Sequence, residues 1–386
     1  MKEFNEISHN FTSSIVDFKC FIFSLFAYLV LALGGIGFGQ DFSLIRVLVI
    51  PLWFLALFLI FVAINSKFLV LPRVIIFLYI FLSLYILTQF FRTENINLAI
   101  QKIDGFLFSG FFVFIIWRYS FLKYHNQFLR YYIYSSIFIL FLTFIYRLVF
   151  DDDRFFLNGP NVFGWMMALA AILSAHLYNS ESKRFYFVYL GVFLIGIIWT
   201  GSKGAMIGAL SGLSLYLLFY GYVFKFIFSI CIFFFIASIA YIYDFVPENY
   251  QIIFRLILGT EGDLEFGSIG IRQLMYADGI KIFTENSFFG VGIGNWDSFS
   301  SIFLYYGEKA YPHNILIEVL AEYGLLGLLI FLIAFIIIFI YTSKLGNIIM
   351  LMFIITLMFS GDMAYWRFIM WLPIAFIPIY ESNLGD

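Results

Sequence analysis

Long apolar runs recur along this chain, among them ILIEVLAEYGLLGLLIFLIAFIIIFIY from Ile315 to Tyr341. About 20 such residues in a helix cross the hydrocarbon core of a bilayer. Inside lipid every backbone polar group must be satisfied internally, and runs of this length point to helices as the solution. Composition removes the soluble alternative. Of 386 residues 63% are hydrophobic and 12% charged, too few polar side chains to cover a globular surface of that size. The expected fold class is therefore all-α, a polytopic integral membrane protein. A net charge of −2 leaves no electrostatic footprint for nucleic acid. Cys20 and Cys231 both lie in apolar segments, which suggests neither a disulfide nor a metal site. A polar N-terminus of about 17 residues precedes the first apolar run, and no small-residue cleavage signature follows, so that run reads as an uncleaved anchor.

Twelve spans are expected, near residues 18–39, 43–64, 69–90, 105–121, 128–150, 160–178, 185–200, 204–222, 223–244, 315–341, 347–361 and 363–380. An even number puts both termini on one side. Lys67, Arg73, Arg118, Lys123, Arg130, Lys183, Arg184, Lys225 and Lys344 gather on that side, which the positive-inside rule makes cytoplasmic. The stretch between Asp244 and Asn314 forms one large external loop, and loops of that size are usually functional. Within it GSIGIRQLMYADGIKIFTE reads as a partly amphipathic helix along the membrane surface, followed by the Gly-rich turn FFGVGIGNW. GVGIGN looks like a nucleotide-binding loop only superficially, because no βαβ unit surrounds it.

Of the four histidines, only His313 faces outside in this topology. It follows Pro312, a residue suited to the first turn of a helix. A helix N-terminus disfavours the imidazolium, which leaves a neutral base; an interfacial histidine bonded to a loop is the plainer alternative. Glu318 and Glu322 lie one turn apart within the apolar run. They could relay protons or touch substrate, but a structural pair with a buried Arg or Lys is the favoured reading. Lys203 in TGSKGA, Arg272 in the amphipathic segment and Arg154 before FFLNGPN are external cations, with Arg147, Arg255 and Arg367 as further candidates. Several of them converging would suit a diphosphate, whereas each alone is commonly a snorkelling side chain. Asp151 to Asp153 could mimic a Mg²⁺ site, but Arg154 beside them offers a simpler partner. No metal or other cofactor is expected.

His313-Asn314, nine residues, Gly324, two residues and Gly327 together resemble the signature of the O-antigen ligase and polymerase superfamily. Three other stretches agree in order. RFFLNGPNVFGWMMAL resembles the family's Asn-Pro-Asn-type start of a span, TGSKGAMIGAL its Ser-Arg-Gly-Ala turn, and GIRQLMYADGIKIFTENSFFGVGIGNW its Arg-containing loop ending in Gly-x-Gly-x. Lys203 departs from the family's usual Arg, keeping the charge but losing the bidentate fork. The resemblance implies a GT-C-like bundle of about 12 transmembrane helices in the bacterial inner membrane, its active site facing the periplasm. It divides the chain into N-terminal spans at 1–150, a core at 151–330 containing the periplasmic loop 245–314, and C-terminal spans at 331–386. The implied reaction is metal-independent, inverting transfer of an undecaprenyl-diphosphate-linked oligosaccharide to a sugar hydroxyl. His313 would be the general base with Arg272 beside it, Lys203, Arg272 and Arg154 would hold the diphosphate, and Asn314, Glu318 and Glu322 would support. The lipid bilayer, a chain-length regulator and a flippase are the implied partners.

Within the superfamily a polymerase is favoured over a ligase. The large loop carries only Arg255, Arg272, Lys281 and Lys309 against more acids, a poor surface for a phosphorylated lipid A core. A lipid-linked sugar transporter is the remaining alternative. It would be expected to show repeats and midplane charges, and the sequence has no evident repeat.

Overall fold

A computed structural model describes residues 2–33, 71–150, 159–222, 268–301, 312–361 and 365–379. The expected spans at 43–64 and 223–244 lie outside the described residues, as do Asp151 to Arg154, Arg255 and Lys309. The described residues are helical throughout, with no strand among them. In chain order they form α1 (Lys2–Leu33), α2 (Arg73–Phe90), α3 (Ile96–Asp104), a π-turn (Gly105–Ser109) and α4 (Gly110–Tyr124). Then come α5 (Asn126–Phe150), α6 (Gly159–Glu181), α7 (Phe185–Thr200), α8 (Lys203–Phe219), α9 (Ser268–Glu285) and α10 (Trp296–Phe299). The chain closes with α11 (Ile315–Tyr341), α12 (Lys344–Ser360), a second π-turn (Arg367–Trp371) and α13 (Leu372–Ile374).

Five stretches are long and apolar enough to cross a membrane: Arg73–Phe90, Ile96–Tyr124, Asn126–Val149, Gly159–Glu181 and Ile315–Tyr341. Their outer sides stay apolar, as at Phe77, Leu84, Ile336 and Ile340. A face like that belongs in lipid, so this is a multi-pass membrane protein. The expected spans at 185–200, 204–222 and 347–361 are shorter apolar helices of 10–17 residues, and two others differ in form. The one placed at 105–121 begins at Ile96, because α3, the first π-turn and α4 run on as one stretch. The one placed at 363–380 is broken into a π-turn and a single short helix, with Pro373 inside it.

Short joins make neighbouring helices antiparallel. His125 alone separates α4 from α5, Gly201 and Ser202 separate α7 from α8, and Thr342 and Ser343 separate α11 from α12. Small residues let α6, α8 and α12 approach closely. A Cβ on Gly212 would crowd Met352 and Ile172, and one on Gly208 would strike Thr356. The start of α8 and the end of α12 therefore share one end of the bundle, with the starts of α3 and α11. Arg367, expected as an external cation, is buried instead. It donates from Nε to Leu31 O at 2.9 Å and from Nη2 to Ala32 O at 3.3 Å, both in the last described turn of α1. Arg147 lies over the Trp199 ring at 4.8 Å.

α11 is broken at Gly324, whose φ of 67° and ψ of −165° are open only to glycine. The segment 287–292 fills the break. Val291 N–H donates to Ala321 O and Gly292 N–H to Glu322 O, both at 2.9 Å, while Leu325 N–H donates to Ser287 O and Leu326 N–H to Phe288 O. Those four groups would otherwise pair within the helix, so the loop replaces two intrahelical bonds and leaves no backbone group stranded. The approach requires bare backbone on both sides. A Cβ on Gly324 would sit 2.5 Å from Phe288 O, and one on Gly290 would sit 2.5 Å from Glu322 O. The GVGIGN turn is thus a wedge in a transmembrane helix.

Gly324→Ala should accordingly cost about 2–4 kcal/mol, combining forbidden backbone with overpacking. Gly191→Ala is the control, since a methyl there meets nothing within 4 Å. Thermal unfolding in detergent should show a lowered midpoint for the first variant and none for the second.

Candidate functional site

The end of the bundle where α3, α8 and α11 begin gathers most of the residues singled out by sequence. Asn314 caps α11, its Oδ1 accepting from Leu316 N–H at 3.0 Å and Ile317 N–H at 3.2 Å. That cap starts the helix at Ile315, so His313 is not in its first turn. His313 sits just before the cap at φ 51°, a left-handed conformation uncommon outside glycine. Burial, and then the positive charge of Arg272, lower the His313 imidazole from its usual range to about 4.

Arg272 projects from α9 and donates from Nη1 to Phe359 O at 2.8 Å, capping the last turn of α12. α9 packs on α11, with Gly279 lying between Ile317 and the Trp296 ring. The structure therefore brings His313 and Arg272 into one electrostatic neighbourhood, from helices about 40 residues apart in sequence. Lys203 opens α8 at the same end. Ser202 before it caps the helix, accepting from Ala205 N–H at 3.3 Å and donating to Asn161 Oδ1 at 2.7 Å. The Asn-Pro-Asn-like and Ser-Lys-Gly-Ala stretches are thus bonded to each other.

Below this mouth lies a charge cluster. Lys102 Nζ of α3 is 2.5 Å from Glu318 Oε1 and 2.5 Å from Glu322 Oε1, and neither carboxylate has exposed surface. Glu322 Oε1 also accepts from Trp296 N–H at 3.4 Å. Glu318 and Glu322 are one turn apart and share the face that receives the lysine.

Sequence reasoning missed Lys102. It lies in a polar segment, INLAIQKID, with nothing to announce burial except an amphipathic spacing that buries Ala99, Lys102 and Asp104 together. It also missed the contacts that hold the loop. Asn295 Oδ1 accepts from Glu94 N–H at 2.7 Å, Asn95 N–H at 3.3 Å and Thr93 Oγ1 at 3.1 Å, while its Nδ2 donates to Arg92 O and Val291 O. Arg92 donates to Phe289 O at 2.9 Å and Gly290 O at 2.7 Å. Asp278 accepts from Ser300 Oγ, Ser301 N–H and Ser301 Oγ, pinning α9 to the segment after α10. Arg154 lies outside the described residues.

Chemically, the arrangement offers a neutral imidazole beside a guanidinium, over a buried cluster of two carboxylates and one ammonium. A neutral imidazole can accept a proton, and the guanidinium can hold an oxyanion.

No curated protein matches the chain. Residues 187–332 match the family model described as O-antigen ligase, a range holding nearly all of α7, all of α8, α9 and α10, and the first part of α11 with its break. His313, Arg272, Lys203, Glu318 and Glu322 all fall inside it. This region is a domain of the O-antigen ligase and polymerase superfamily.

Proposed function

We propose that this protein is a membrane glycosyltransferase acting at the periplasmic face of the bacterial inner membrane. It moves an undecaprenyl-diphosphate-linked oligosaccharide onto the hydroxyl of an acceptor sugar, as the polymerase of a surface polysaccharide. The observation that carries this reading is His313, a half-buried neutral imidazole beside Arg272 at the mouth of α11, within the O-antigen ligase region. Lys123, Arg130, Lys183, Arg184 and Lys344 lie toward the opposite end of the helices, which supports a cytoplasmic assignment for that end.

In the reaction the acceptor oxygen bonds to the anomeric carbon from the side opposite the diphosphate. The carbon–oxygen bond to the diphosphate breaks with its electron pair on the leaving oxygen, and the anomeric configuration inverts. His313 takes the hydroxyl proton. Arg272 and Lys203, with Arg154 as a third cation, stabilise the charge on the departing diphosphate. A lipid diphosphate already leaves well, so no nucleotide is required. Glu318, Glu322 and Asn314 serve by shaping and capping the helix that presents His313.

A histidine at about 4 is a weak base in the free protein. A diphosphate docking against Arg272 offsets the cation that lowers it, so donor binding strengthens the base. The active form is neutral and is lost as pH falls through the pKa. The acid limb of kcat/KM, which reports free enzyme, should therefore fall near pH 4, and the limb of kcat should lie at higher pH. Rate profiles of the purified protein with a lipid-linked donor test this, and coincident limbs would contradict the link between donor and Arg272.

A ligase, joining finished polymer to lipid A core, is the second reading, favoured by the description of the matching family. A gel of surface polysaccharide from a deletion strain separates the two. Core capped by one repeat unit identifies the polymerase, and bare core with lipid-linked polymer accumulating identifies the ligase. An unchanged ladder sinks both. His313→Asn is the informative variant because Asn tolerates φ above zero, so it removes the base without new backbone strain. It should lower synthesis by about 100-fold or more.

A further inference from the structure

We propose that Lys102 is a positioning residue of this site. Its ammonium, held between Glu318 and Glu322, keeps the helix bearing His313 and the helix bearing Arg272 in register. The proposal rests on the transferase reading above and adds a residue on a third helix, outside the region matched by the family model.

Three elements meet at the lysine. Glu318 and Glu322 belong to α11, five and nine positions after His313. Glu322 Oε1 takes the Lys102 ammonium at 2.5 Å and the Trp296 backbone N–H at 3.4 Å on the same oxygen. The Trp296 ring in turn packs against Gly279 of α9, which also touches Ile317 of α11. Gly279 is seven residues after Arg272, two helical turns along the same face. A continuous chain of contacts thus runs from the His313 helix through Glu322 and Trp296 to the Arg272 helix, and Lys102 supplies the charge that keeps Glu322 in place.

Two carboxylates without exposed surface need a cation among their partners. Without Lys102, Glu322 loses its cationic partner and turns away, which releases Trp296. Among the described residues, Arg272 is a charged group whose field acts on His313, after the larger effect of burial. The proton affinity of His313 is therefore a ruler of its surroundings, of its burial first and of its separation from Arg272 next.

That ruler can be read without turnover. The chain has four histidines, so ring-labelled protein in detergent gives a short carbon-13 spectrum. The His313 signal is the one missing from His313→Asn. In wild type its midpoint should lie near pH 4. In Lys102→Met it should rise toward the ordinary histidine value as Arg272 moves away, and polysaccharide synthesis should fall by about 10–100-fold, as for a displacement of about 1 Å. Lys102→Gln still donates to one carboxylate and should shift the midpoint less, which keeps the test in hand if the Met variant fails to insert. A midpoint unmoved in the variants overturns the proposal, and so does synthesis lost with the midpoint unmoved, because that marks a residue serving stability alone. Full synthesis by His313→Asn would overturn the transferase reading, leaving the titration to decide the geometry.

Discussion

Glu318 and Glu322 lie in a helix whose every neighbouring residue suits lipid, and neither carboxylate has exposed surface. Charge in such a setting must be paired, neutralised or expelled. Lys102 does the pairing, and much of the architecture at this end follows from it. The lysine has to arrive from the side, so α3 must dip into the bundle before the first π-turn hands the chain on to α4. The carboxylates must face that side, which fixes the rotation of α11 about its own axis. His313 and its cap are then presented from a helix that cannot turn freely. Removing the lysine alone would leave two unpaired buried carboxylates, a loss on the order of several kcal/mol.

A second constraint is backbone hydrogen bonding in a dry environment. Breaking a membrane helix at Gly324 would strand carbonyls of Ala321 and Glu322 and the N–H groups of Leu325 and Leu326. The loop after α9 supplies all four partners. Glycine is needed at both contact points because carbonyl and amide atoms, not side chains, occupy the space a Cβ would take. The spacing from His313 through Gly324 to Gly327 then acquires a physical meaning. Asn314 caps the helix, Gly324 admits the loop, and Gly327 makes room for the Tyr323 side chain, which a Cβ there would strike, with the Tyr85 hydroxyl next nearest. The same wedge carries α9, and Arg272 with it, to the place where α12 ends.

The chemistry proposed for this end needs a base available at neutral pH and cations for a leaving diphosphate. Burial and Arg272 both suppress protonation of His313, so one residue can serve as anchor for the leaving group and as regulator of the base. The bond from Arg272 to Phe359 O also explains how a flexible side chain is held, since a helix C-terminus attracts cations. Preorganised charge of that kind costs little reorganisation when the reaction occurs.

The apolar runs determined by themselves that the chain is helical and membrane-spanning, because nothing else satisfies a backbone in lipid. The sequence also supplied the family resemblance and, from residue type alone, His313, Arg272 and Lys203 as groups capable of the chemistry. It did not reveal Lys102, Asn295 or Asp278. Their roles depend on partners about 20 to 220 residues away, and local periodicity carries no information about such pairings. It misplaced Arg367 for the same reason, since a cation near a span end can snorkel outward or turn inward to a neighbouring helix's carbonyls. A Gly-rich stretch such as GVGIGN marks a turn wherever it occurs. Only the tertiary structure decided that this one inserts into α11, because the need for bare backbone on both sides arises when the two segments meet.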